Sequence, residues 1–206
     1  MININICYVD DNIDSRLNRY LVEYCEHKNR VSQDFFLNAH ESQFLASDDY
    51  RTLLQNPKIN SANILLIDSR LFENETSGLS KFTGEQFKII LRKVHPFIKT
   101  IVISQNEGYA ISKTISKYKS RIGVNNRNEA KIFYDDVLAP ILEDYIFSTI
   151  EEYQVLEEIK SEREIDPVLV SNIQSTIDGI TSTDLLEKKD LDELIILFNE
   201  VKKNYE

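Results

Sequence analysis

The run Ile64-Leu65-Leu66-Ile67, closed by Asp68, constrains this chain more than any other feature. Four apolar residues with no polar interruption suit a short strand covered on both faces, as in a parallel sheet. Two further segments read alike. Residues 3–9 alternate and then turn apolar through Ile6, Cys7, Tyr8 and Val9 before Asp10, and residues 100–103 are β-branched and apolar before Ser104. Strands are also predicted at 33–38, around Phe35, Phe36 and Leu37, and at 121–124. Helical spacing of apolar residues fills the intervals: 15–28 (Leu17, Tyr20, Leu21, Tyr24), 41–55 (Phe44, Leu45, Leu53, Leu54), 84–95 (Phe87, Ile90, Leu91, Val94), 109–119, and from Glu129 onward. Strand and helix thus alternate five times. Parallel neighbours need crossovers, so the order predicts an α/β fold: a doubly wound, five-stranded parallel sheet with helices on both faces.

Such sheets bind ligands outside the carboxyl ends of their strands. The residues there are Asp10, Asp11, Asp68, Ser104 and whatever follows Val124. Taken singly, each acid reads equally well as a solvated loop residue, and Ser104 as a hydroxyl bonded to its own turn. Three carboxylates at predicted strand ends of one sheet favour a site. Clustered carboxylates repel, and oxygen-only donors suit Mg²⁺. An aspartate can also take up a phosphoryl group as a nucleophile, with the metal neutralising the transferred charge. The sequence lacks G-x-G-x-x-G after the first strand and lacks a P-loop, which weakens nucleotide-binding readings. His27, His40 and His95 have no metal-ligand spacing, so surface or helix-end positions are expected for them. Cys7 and Cys25 form no framework and read as buried, reduced small hydrophobes.

The sequence resembles the response-regulator receiver family over about residues 3–144. Tyr8-Val9-Asp10-Asp11-Asn12 and Ile64-Leu65-Leu66-Ile67-Asp68 carry the resemblance. So do Gly84-Glu85-Gln86-Phe87, His95-Pro96 and Ile101-Val102-Ile103-Ser104. The resemblance implies Asp68 as phosphoacceptor, Asp10 and Asp11 with Asp68 as Mg²⁺ ligands, and Ser104 as the switch hydroxyl. It also implies a sensor histidine kinase or another phosphodonor as partner, and a signalling rather than an enzymatic role. The family's lysine at the end of strand five has no counterpart in Gly123-Val124-Asn125-Asn126-Arg127-Asn128, where Arg127 is the nearest cation, and Ile122 is the candidate for the family's strand-five aromatic. The missing lysine and the long 69–83 loop motivate a second reading, a degenerate receiver serving as an interaction scaffold. A phosphohydrolase of the haloacid-dehalogenase kind ranks lower, because its Asp-x-Asp on the first strand is absent.

Charge separates the chain at residue 144. Residues 1–144 hold 19 acidic and 18 basic residues, whereas 145–206 hold 15 and 6, so the tail carries -9 of the total -10. That balance, with the resemblance, predicts a receiver-like domain at 1–144 and an all-helical extension at 145–206. One long helix is expected over 129–164, with a kink or a short gap at Pro140, then helices over 167–177 and about 190–201. An acidic tail excludes phosphate-backbone binding by charge, so no nucleic-acid output is expected. It has no histidine for a phosphotransfer role. A protein partner, or self-association into a dimer, fits its apolar stripe. No apolar run approaches the roughly 18 residues of a membrane span, and no signal sequence is seen, so a cytoplasmic protein is expected.

Overall fold

The computed structural model describes residues 1–45, 47–48, 50–71, 83–104, 114–120, 122, 125–161, 168, 171 and 173–175. Five strands form one sheet: β1 (Ile2–Asp10), β2 (Phe35–Gln43), β3 (Ile64–Asp68), β4 (Lys99–Ser104) and β5 (Thr114–Ser116). Their spatial order is β2-β1-β3-β4-β5, and every pairing is parallel. This is the flavodoxin-like doubly wound order, with its switch point between β1 and β3.

The two-residue period of the strands divides the core. Ile4, Ile6 and Tyr8 of β1, Ile64 and Leu66 of β3, and Ile101 and Ile103 of β4 point to one face. There they meet α1 (Ser15–Val31), α5 (Asn126–Val137) and the first half of α6 (Ala139–Ser161). Cys7, Val9, Leu65, Ile67 and Val102 point to the other face, against α2 (Tyr50–Leu54), α3 (Pro57–Asn60) and α4 (Gly84–Val94). Because both faces are covered, all five residues of β3 are buried, as the uninterrupted run predicts.

Local sequence sets the helix starts that frame the sheet's carboxyl edge. Asp14 caps α1 by accepting from the Arg16 and Leu17 N–H groups. Thr83 and Gln86 form a capping box at α4. Gly84, the first residue of α4, lies so close to β3 that a Cβ there would sit 2.5 Å from the Asp68 carbonyl oxygen. Glycine is therefore needed for α4 to start against the end of β3.

Three elements differ from the sequence expectation. The helix expected over 41–55 is strand through Gln43 and then only the short α2, because the nine-residue pairing of β1 with β2 carries the strand that far. Asn56 then caps α3, with Pro57 in its first turn. The helix expected over 109–119 is overturned where β5 occupies Thr114–Ser116. The strand expected at 121–124 is not there at its one described residue, Ile122, which is a fully exposed turn residue. In the helix expected over 129–164 the short gap near Pro140 is found at Leu138, the C-cap of α5, and Pro140 falls in the first turn of α6, where its missing N–H costs nothing. Of the helices expected over 167–177 and 190–201, residues 168, 171 and 173–175 are helical and the rest lie outside the described residues.

The helix α6 runs unbroken through residues 144 and 145. Leu142 and Ile146 are buried against the sheet core, and Leu156 is buried further along. Glu152 pairs with Lys99 at 2.7 Å, and the Asn63 side-chain amide donates to the Tyr153 hydroxyl at 3.4 Å. Asn63 and Lys99 lie at the amino ends of β3 and β4, so α6 reaches the sheet edge opposite the acids.

Candidate functional site

The register places the acids. Val9 pairs with Ile67, so one residue further Asp10 and Asp68 end their strands side by side. Asp11 follows Asp10 and is partly exposed, whereas Asp10 and Asp68 are 1% and 5% exposed. One carboxylate oxygen from each of the three lies within 4.8 Å of the others. The three residues expected to meet at the carboxyl edge do meet there. Ser104 ends β4 one strand away from β3, and its carbonyl accepts from the Lys117 N–H at 2.8 Å.

Two buried aspartates without a cation would repel each other. Lys117 supplies the cation. It directly follows β5, and its ammonium lies 2.5 Å from Asp10 Oδ2 and 2.7 Å from Asp68 Oδ1. Burial alone would lower the pKa of this lysine. Its hydrogen bonds to Asp10 and Asp68 and their negative charges outweigh that effect and raise it, so the ammonium stays charged. Other groups take further lone pairs on both carboxylates. The Asn12 N–H donates to Asp10 Oδ1 at 3.0 Å, and the Arg70 N–H donates to Asp68 Oδ2 at 2.8 Å. The Tyr8 hydroxyl donates to Asp10 Oδ2.

Arg127 does not take the place of the strand-five lysine. It stands on α5, largely exposed, paired with Glu23 at 2.7 Å. Lys117 was hidden because a three-residue strand is too short to show a period. Ile111 and Ile115, four apart, also make the surrounding segment read as a helix. The signal that could have found it is Thr114-Ile115-Ser116, a β-branched alternation running straight into a lysine.

The donor set fits a hard divalent cation. All donors are oxygens, one from each of three carboxylates. The histidines stay outside the site. His27 and His40 are exposed, and His95 is the C-cap of α4, at a helix end but buried. Cys7 and Cys25 are buried and unbridged, and burial pushes both thiols up to about 12, away from reactivity.

No protein-family model matches this chain, and no curated protein sequence matches it. Among solved structures, the chain is similar to a two-component transcriptional regulator AraC from Clostridium phytofermentans. The identity is 15% and the TM-score 0.32, with 68% of this chain and 97% of that one covered. No helix among the described residues is long and apolar enough to cross a membrane.

Proposed function

We propose that the chain is a receiver-type signalling protein in which Asp68 accepts a phosphoryl group. The observation that carries this reading is Lys117, a buried ammonium shared between Asp10 and Asp68 beside a third carboxylate at the sheet's switch point. An Asp68 oxygen attacks the phosphorus of a phosphodonor, such as a sensor histidine kinase. The bond from phosphorus to the donor breaks, and its electron pair leaves with the donor. Asp10, Asp11 and Asp68 would hold Mg²⁺, which when bound neutralises charge on the phosphoryl oxygens. Lys117 is placed to follow negative charge from the Asp68 carboxylate to the phosphoryl group, and Ser104 serves as the switch hydroxyl.

In this reading the protein is a cytoplasmic regulator and not an enzyme. Residues 1–144 form the receiver and 145–206 the output. Output passes through a protein partner or a second copy, not through nucleic acid, because the acidity lies in 145–206. The interaction-scaffold reading was motivated by a missing strand-five lysine and by the long 69–83 loop, and Lys117 answers the first of these. Incubation of the protein with a small phosphodonor and Mg²⁺, followed by intact mass, tests the proposal. One added phosphoryl group is expected on the wild type and none on Asp68→Asn. A wild type that stays unmodified would overturn the phosphoacceptor role.

A further inference from the structure

We infer that Tyr8 sets the metal preference of the acid cluster by closing one oxygen of Asp10 to coordination. The inference rests on reading Asp10, Asp11 and Asp68 as a divalent-cation site. Tyr8 is fully buried on β1, two residues before Asp10, so strand alternation puts both side chains on the same face. Its hydroxyl donates to Asp10 Oδ2 and accepts from the Asp14 N–H at 3.4 Å.

A carboxylate offers about four lone-pair positions, two on each oxygen. On Asp10, Oδ2 receives both Tyr8 and the Lys117 ammonium, and Oδ1 receives the Asn12 N–H. One position on Oδ1 is left. Asp10 can therefore give a cation a single oxygen and cannot grip it with two. That distinction separates the common hard cations. Ca²⁺ takes six to eight oxygens at flexible angles and uses bidentate carboxylates, whereas Mg²⁺ demands octahedral geometry and dehydrates reluctantly. An aspartate restricted to one oxygen serves Mg²⁺ and handicaps Ca²⁺. Tyr8 is thus a positioning residue acting through Asp10. A tyrosine that merely fills the core beneath the site would influence both ions alike.

Calorimetric titration of the full chain with Mg²⁺ and with Ca²⁺ tests this on wild type, Tyr8→Phe and Asp11→Asn. Phe keeps the ring and removes only the hydroxyl. Loss of an outer partner that orients a ligand commonly costs about 10-fold or more in metal affinity. Tyr8→Phe should therefore weaken Mg²⁺ by about 10-fold and leave Ca²⁺ unweakened, so the Mg²⁺ preference falls by about 10-fold. Tyr8→Leu, which also lacks the hydroxyl but packs differently, should shift the ratio in the same direction. A wild-type ratio, within about twofold, in either folded variant overturns the role of Tyr8. A wild type that binds no Mg²⁺, or an Asp11→Asn variant that binds it unchanged, overturns the cation-site reading instead.

Discussion

At the residue scale, two buried aspartates and one buried ammonium govern the electrostatics of the site. Removing the cation leaves Asp10 and Asp68 facing each other at 1% and 5% exposure. Breaking a buried ion pair from one side costs about 3–5 kcal/mol. Lys117→Met should lower unfolding stability in urea by that order, and adding Asp10→Asn to it should restore part of the loss. A double variant no better than the single would argue against direct repulsion. His95 makes a separate, pH-linked contribution. Its ring is 2% exposed, neither ring nitrogen has a hydrogen-bond partner among the described residues, and burial lowers its pKa below the ordinary 6.5. The folded chain keeps the imidazole neutral while the unfolded chain protonates it near 6.5. The stabilising contribution is thus present above that pH and fades as pH falls below it, by up to about 1.4 kcal/mol per pH unit. Melting temperatures between about pH 5 and pH 7 should fall less steeply with acid in His95→Leu than in the wild type. The aspartates were legible in the sequence because each closes an apolar run. The partners of Asp10 were not, since Tyr8 reads as one more core residue until the strand's alternation turns its hydroxyl toward the carboxylate.

At the element scale, the site depends on how closely α4 starts against the end of β3. A Cβ at Gly84 meets backbone atoms, 2.5 Å from the Asp68 carbonyl oxygen and 3.1 Å from the Ser69 Cα, and neither can swing aside as a side chain could. Gly84→Ala should cost about 1–3 kcal/mol of stability, the usual range for overpacking. It should also disturb the amide resonances of Asp68 and Ser69 before those of α1. Undisturbed stability would show that α4 slides away freely. The capping pair Thr83 and Gln86 fixes where α4 begins, so the glycine that can approach β3 is the one that does. The long apolar runs were readable as strands because burial on both faces leaves no alternative composition. Strand β5 was not. Three residues hold one buried apolar side chain, Ile115, and only pairing with Val102–Ser104 of β4 makes the segment a strand.

At the scale of the whole molecule, α6 ties the acidic tail to the neutral sheet domain. The helix starts on the core, with Leu142 0% and Ile146 5% exposed, and carries Leu156, 4% exposed, past the amino edge of the sheet. A chain ending at residue 144 loses Ile146, Thr149 and Leu156 from buried positions and the Lys99–Glu152 pair. It should melt below a chain ending at 161, by an amount matching the loss of about 2–5 kcal/mol per large buried side chain. Equal melting temperatures would show that this half of α6 adds nothing to the fold. The sequence by itself determined the layered α/β architecture, three of the strand ends and the acids on them, because apolar runs and helical spacing are local consequences of burial. It also determined where the charge lies. Only the tertiary structure decided which cation answers those acids. Lys117 sits 49 residues beyond Asp68 in the chain, after a strand too short to carry a period. The pairing of β5 with β4 brings it beneath both carboxylates, and such pairing arises only between segments already folded together.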